Sequence, residues 1–342
     1  MRDKINNWYL THMNKENALY ALRVSVGIIF SILLAEAIGI EFAPSTGIIT
    51  LLTMQATKRE TISTIIRKVI SFGYTLLFAL VIHEHVGTGI LAFSLVILIM
   101  VVLSILLGWY DTLSVNVVIA VHLFMQQEAF TSALLLNETY RFCIGIAVAF
   151  IINLGVLDQE KELIKATVVI ERTMKEIMML YVNFMYGKAP LPEMTSILSN
   201  YRKKLDTEWA RALANANNHL LSHYRYYVNY MDMRMDELSL IENIDAYLRS
   251  LPTCPQNAAL VADYMEHIAN SLRVERPLDE WTLKYDEVTK KLDQEALPAS
   301  RSEFHEQSNL FFIFYELSKM LIIRKDFLAA LSKKQRKLYF RK

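Results

Sequence analysis

The segment Gly89–Leu107 carries no charge and, apart from its leading glycine and two serines, only apolar side chains. About 20 such residues is the length a helix needs to cross a hydrocarbon core about 30 Å thick. Backbone polar groups inside lipid must be satisfied within the segment, which leaves a helix or a closed barrel. This run therefore commits its part of the chain to a membrane helix. Leu19–Ile40, Thr64–Ile82 and Leu135–Leu157 qualify as well, each interrupted by a few ionisable residues. Phe42–Ala56 and Thr112–Met125 are at the short margin, and read as short helices, tilted crossings or re-entrant segments. Counting them gives six spans, at about 19–40, 42–56, 64–82, 89–107, 112–125 and 135–157.

Loop charges fit six crossings. One side then carries Arg2, Lys4 and Lys15, then Lys58 and Arg59, then Lys161 and Lys165. The other carries Glu41, His83-Glu84-His85 and Gln127-Glu128, with no Lys or Arg. Cationic loops stay cytoplasmic, so the expectation is a multi-pass protein of the cell (plasma or inner) membrane with both termini in the cytoplasm.

The spans read long, short, long, twice over. The short segments align, Ile49–Gln55 against Ala120–Gln126, and each precedes a helix with an early arginine, Arg67 or Arg141. A three-span unit crosses an odd number of times, so its second copy is inverted, an arrangement found in transporters.

Past Leu157 the character changes. Leu163, Thr167, Ile170, Met174, Ile177, Tyr181 and Phe184 form a helical, coiled-coil-like stripe that continues out of the last span and stops at Gly187, after which no glycine occurs. Residues 193–250 read as helix with a break near Asn215–Asn218. Further helices are expected at roughly 256–273 and 278–295, and a last one behind the capping box Ser300-x-x-Glu303, running to about Ser332 before a basic tail. The expected fold is all-α: a six-helix transmembrane bundle with an inverted three-helix repeat over 1–157, then a cytoplasmic helical bundle over 158–342.

Composition closes several alternatives. The net charge is +1, from 36 basic and 35 acidic residues, which gives no support to a nucleic-acid binder. The 53% hydrophobic content excludes a disordered chain. Two cysteines, Cys143 and Cys254, make neither a disulfide framework nor a zinc site. No G-x-x-x-x-G-K-[ST] loop is present, so transport would run on an ion gradient or downhill. His83-Glu84-His85 is not the helical H-E-x-x-H metal motif and reads as a solvated loop, with no metal or cofactor expected.

The chain resembles the aromatic acid exporter family, related to the fusaric acid resistance proteins. In the membrane half the matching residues are Ala43-Pro44-Ser45-Thr46-Gly47-Ile48-Ile49, the Arg67 helix, and Arg141-x-x-x-Gly145-x-x-Val148-Ala149-x-x-x-Asn153. In the second half they are Tyr230-Met231-Asp232-Met233-Arg234 and Leu297-Pro298-x-x-Arg301-x-Glu303-Phe304, continued by Leu310-Phe311 through Glu316-Leu317. Ser71 stands where the family commonly has glycine. The resemblance implies an exporter of aromatic or other small organic acids, coupled to protons, with no enzymatic activity and with this single module working as a homodimer.

Ionisable residues inside spans default to functional roles. Arg67, Arg141 and Lys68 are the candidates for substrate binding, because a guanidinium matches a carboxylate with two parallel bonds. Their plainer roles are snorkelling and, for Arg141, an i, i+3 pair with Glu138. His122, Glu138, Glu36 and Asp111 are the candidates for proton coupling. Thr46, Thr50, Gln55 and Asn116 either line a pathway or bond helix to helix. The cluster Tyr224, Tyr226, Tyr227 and Tyr230 with Trp209 reads as core or seam before ligand pocket. The competing class is a membrane-anchored helical scaffold without transport.

Overall fold

The computed structural model describes residues 15–125, 130–155, 159–219, 225–251, 255, 257–274 and 278–340. These residues form helices joined by short connections, with no strand among them. Contacts divide the chain into two units, Met1–Leu157 with Asn217–Leu220, and Asp158–Ala216 with Leu221–Lys342.

The first unit contains α1 (Lys15–Ala37), α2 (Pro44–Thr53), α3 (Lys58–Val86), α4 (Ile90–Leu107), a 3-10 turn at Tyr110–Thr112, α5 (Leu113–Met125) and α6 (Ser132–Leu154). Among the described residues four helices are long and apolar enough to cross a membrane: Asn17–Ala37 within α1, then α3, α4 and α6. The short segments differ from full spans. α2 has 10 residues and α5 has 13. At 1.5 Å per residue they cover about 15 and 20 Å, less than the core thickness of about 30 Å.

Local chemistry sets the ends. Thr57 and Thr131 cap α3 and α6, their side chains accepting from the backbone N–H of Glu60 and Leu134, both at 3.3 Å. Pro44 occupies the first turn of α2, where its missing N–H costs nothing. Gly108 ends α4 in the left-handed region, φ 67°.

The unit is apolar outside, and its interior holds polar side chains beside an apolar cluster. Leu22, Ile29, Ile66, Leu77, Leu91 and Ile151 are exposed, while Thr50, Lys68, Ser71, Asn116, Glu138 and Arg141 are buried. That distribution suits a lipid solvent, where polar side chains join helices together. Packing follows an exchange rule. α1 packs on α2 and α6, as α4 packs on α5 and α3; α2 packs on α6 and α3, as α5 packs on α3 and α6; and the contacts of α2 with α5 and of α3 with α6 map onto themselves. Swapping α1, α2, α3 for α4, α5, α6 leaves this set of neighbours unchanged.

The second unit contains α7 (Glu160–Met185), α8 (Thr195–Asn218), α9 (Tyr226–Arg249), α10 (Ala258–Asn270), α11 (Asp279–Leu292), α12 (Arg301–Ala330) and α13 (Lys333–Tyr339). α6 ends at Leu154 and α7 starts at Glu160, so the last span and the amphipathic helix are separate elements; Leu157 itself lies outside the described residues. Leu163, Ile170, Met174, Ile177 and Tyr181 are buried in this unit's own core. Arg234 stands fully buried at the centre. It pairs with Glu237 at 2.6 Å and Glu171 at 3.1 Å, donates to Tyr230 at 3.0 Å, and reaches the Leu272 carbonyl at 2.7 Å. Arg324 joins it just past the C-terminus of α10, donating to Ser271 O at 2.9 Å and to Arg273 O. Burial, with the positive charge of Arg234 beside it, pushes Arg324 down to about 10.

Two end signals differ from expectation. Ser300 accepts from Glu303 N–H as a cap should, but the Glu303 carboxylate accepts from Ala299 N–H, one residue before the box position. The basic segment after Ser332 is a helix, opened by a complete capping box between Ser332 and Gln335. A run of cations with no apolar residue before Leu338 hid that short helix in the sequence. Tyr226, Tyr227 and Tyr230 pack against one another, Phe327 and Tyr339 as core; Tyr224 lies outside the described residues. Trp209 is half-buried and donates to Asp232 at 2.7 Å.

Candidate functional site

Three of the predicted ionisable residues converge at one level of the first unit. Glu138 and Arg141 lie one turn apart on α6, and His122 reaches them from α5. The Arg141 Nη2 and Glu138 Oε1 form an ion pair, and Arg141 Nη1 lies 2.8 Å from His122 Nδ1. His122 Nδ1 is also 3.2 Å from Glu138 Oε1, and its Nε2 is 3.0 Å from Ser45 Oγ at the start of α2. A guanidinium only donates, so His122 Nδ1 accepts. The imidazole proton then sits on Nε2 and is donated to Ser45. The Arg141 side chain is 0% exposed and that of Glu138 1%.

Phe42 closes this cluster. Its ring stacks on His122, with centroids 5.8 Å apart and planes 27° apart, and the Arg141 guanidinium lies 5.7 Å from its centroid. Phe42 is the one non-glycine residue with positive φ, 54°, among the described residues. No periodicity flagged it. Ser45 stood in the motif that carried the family resemblance, without a role.

α6 meets α2 closely because residue 145 is glycine. A Cβ there would lie 2.6 Å from Ile49 Cγ2 and 3.1 Å from the Thr46 carbonyl. Thr50 Oγ1 donates to the carbonyl of Gly145 at 3.1 Å as well as to Thr46 O. Thr46 Oγ1 is shared between Ser31 O and Ala43 O. These two threonines are thus bonded to backbone at helix contacts.

A second polar group lies on α3 and its neighbours. Arg67 binds Asp111 of the 3-10 turn, Nη2 to Oδ2 at 2.6 Å, and also donates to Ser63 and Thr64 at 2.7 and 3.1 Å. This pair is about one third exposed, 29% and 33%. Lys68 is buried and donates to the Leu52 carbonyl at 2.5 Å. It therefore caps the C-terminus of α2, where a cation also meets the helix dipole. Ser71, in the family's glycine position, donates to Asn116 Oδ1 at 3.2 Å; its hydroxyl is used in the helix contact that a glycine would leave bare. Gln55 N–H donates to Thr61 Oγ1, and Asn153 ties α6 to Thr57 O and Thr61. Phe72 of α3 and Phe142 of α6 stack with centroids 4.1 Å apart and planes 6° apart.

Glu36 is exposed at the end of α1 and joins neither group. His83 stacks on Phe130 and His85 bonds Val81 O. Among the described residues no three His, Cys, Asp or Glu side chains are placed to hold a metal ion.

Comparison with known proteins gives the same order of parts. Residues 19–156 match the family model "Aromatic acid exporter family member 1", and residues 160–325 match "Putative aromatic acid exporter C-terminal domain". The chain is 20% identical over 312 residues to "Uncharacterized protein YqjA" of Bacillus subtilis (strain 168), covering 90% of this chain and 94% of that one. Among solved structures it is similar to a "putative membrane protein from Clostridium difficile 630", at 18% identity and a TM-score of 0.42, over 48% of this chain and 98% of that one.

Proposed function

The chain belongs to the aromatic acid exporter family, an exporter rather than an enzyme family, and from that premise we propose that it carries aromatic or other small organic acids out across the cell membrane. The observation that carries the reading is Arg141. It is a fully buried guanidinium among membrane helices, held by one carboxylate and one neutral imidazole, beside an aromatic ring. A carboxylate substrate can take the fork that Glu138 occupies, and Phe42 offers its ring a stacking partner. Arg67 and Lys68 are weaker substrate candidates, since Asp111 and the end of α2 already engage them.

Alternating access between two inverted three-helix repeats is the proposed mechanism. The exchange symmetry of the packing supports it. So does register: Arg67 and Arg141 each stand ten residues past a capping threonine. The Phe72–Phe142 stack, which joins α3 to α6, would act as the apolar barrier that rocking opens. With α2 and α5 carrying the chain across, Lys58 and Arg59 fall on the cytoplasmic side with Lys161, and both termini are cytoplasmic. His122 and Glu138 are the proposed proton-coupling groups. A homodimer completes the proposal, with the helical second unit serving as contact or gate.

Efflux from proteoliposomes loaded with a broad panel of aromatic carboxylates, under an imposed pH gradient, tests this. Protein-dependent flux is expected, and its absence across the panel would leave a membrane-anchored scaffold as the better reading. Lys58→Cys and Glu84→Cys, in a background lacking the native cysteines, should label from opposite sides; labelling from the same side contradicts six crossings.

A further inference from the structure

The Arg141 cluster has a charge balance that specifies how a proton would take part. Arg141 is a cation, Glu138 an anion, and His122, accepting at Nδ1, is neutral. The buried set sums to zero. A carboxylate that docks on Arg141 makes it −1, and an uncompensated charge in this surrounding is strongly disfavoured.

The geometry offers one relief. His122 Nδ1 stands 3.2 Å from Glu138 Oε1 and 3.3 Å from Oε2. With Nδ1 unprotonated, these are contacts between acceptors and contribute no bond. A proton on Nδ1 turns them into a charge-assisted hydrogen bond from His122 to Glu138. The same proton ends the acceptance from Arg141 Nη1, because the imidazolium has no lone pair to offer. The guanidinium loses both its partners together, and its Nε has none to begin with. The fork is then bare and faces Phe42.

Other ionisable groups do not supply the missing charge. α6 packs against α1, α2, α3 and α5. On α1, Arg23 and Glu36 make no bond to the cluster; α2 has no ionisable side chain. On α3, Arg67 is held by Asp111 and Lys68 by Leu52 O, and Lys58, Arg59, Glu60, His83, Glu84 and His85 are not bonded to it. α5 contributes His122 alone. Glu41, exposed beside Phe42, is a further carboxylate whose charge acts on Arg141, and it adds to the excess of negative charge.

We propose that carboxylate and proton enter this site together, one of each, with Glu138 passing from Arg141 to His122. This rests on reading Arg141 as the carboxylate-binding residue. It replaces an unspecified proton coupling with a sign: substrate binding takes up a proton rather than releasing one.

Calorimetric titration of the purified full chain in lipid nanodiscs tests it, using benzoate, 4-hydroxybenzoate and cinnamate near neutral pH in two buffers of different ionisation enthalpy. These probes are already ionised there, so any proton taken up goes to the protein. The expected result is about one proton taken up per carboxylate bound, with affinity falling about tenfold per pH unit on the alkaline side. In Glu138→Gln, a neutral side chain of the same shape, uptake should fall to near zero and binding should become independent of pH. Binding by the natural protein without net uptake, or with release, overturns the inference and leaves the exporter reading standing. Binding by neither protein, for any probe, removes Arg141 as the site and both readings with it. The wild-type measurement decides the matter even if the variant fails to fold.

Discussion

Arg67 and Arg141 occupy the same register of two helices and live in different surroundings. Each has a partner one turn earlier on its own helix, at i−3. For Arg67 that partner is the hydroxyl of Thr64, at 3.1 Å; for Arg141 it is the carboxylate of Glu138. Arg67 therefore takes its counter-ion from elsewhere, Asp111 in the turn before α5, and stays about a third exposed. Arg141 has its counter-ion within its helix and is sealed. Exposed pairs are worth about 0–1 kcal/mol, whereas removing one partner of a buried pair costs about 3–5 kcal/mol. Two arginines at the same distance from a capping threonine thus hold a partly exposed pair in one helix and a sealed one in the other.

Transport is the sharpest way to break that comparison. Arg141→Ala should lower flux of a transported carboxylate by more than about tenfold, the loss expected for a charge-assisted bidentate contact of about 1.5–3 kcal/mol. Arg67→Ala should leave more than about half, in keeping with the small worth of an exposed pair. Efflux normalised to inserted protein measures both. Equal losses would mean that burial does not separate the two sites.

Close packing separates the halves next. Gly145→Ala places a methyl against Ile49 Cβ and Cγ2, branch atoms that a rotamer change cannot clear. Overpacking of this kind costs about 1–3 kcal/mol. The unfolding midpoint of the purified protein should fall accordingly, and an unchanged midpoint would show that α2 and α6 separate freely.

The N-caps should be the feature the two halves still share. Thr57→Ala and Thr131→Ala each remove one acceptor for a first-turn N–H, and each should cost about 1 kcal/mol. Similar shifts in the two unfolding midpoints are expected. A silent Thr131→Ala beside a costly Thr57→Ala would mean that only one helix start is anchored by its cap.

How much of this the sequence could display follows from the physics of each part. The long spans were legible because lipid demands length and apolarity, which are local properties. The triad was half legible: Glu138 and Arg141 are an i, i+3 pair on one helix, and His122 stood out as an ionisable group in an apolar run. Their convergence was not, because it depends on how α5 packs on α6. Phe42 was invisible, since a left-handed phenylalanine in a turn has no periodicity. The short segments were ambiguous for the same reason they are interesting. An apolar run of about 15 residues fits a tilted crossing or a half-length helix, and tertiary contacts decide between them. The structure gives α2 and α5 10 and 13 residues.

The smallest expected effect concerns Ser71, the counterpart of Gly145 74 residues earlier. Family resemblance marks it as a serine where glycine is common. In the structure Ser71 of α3 meets Asn116 of α5, and the serine hydroxyl bonds it. Hydrogen bonds between membrane helices average about 0.6 kcal/mol, so Ser71→Ala should lower stability by about that much, read from the unfolding midpoint. Ser71→Gly should cost more, since it loses the bond and adds a helix-interior glycine worth about 1 kcal/mol relative to alanine. If Ser71→Gly were instead stabilising, α3 and α5 would be held apart by the serine, and the contact would be strained like its counterpart in the other half rather than bonded.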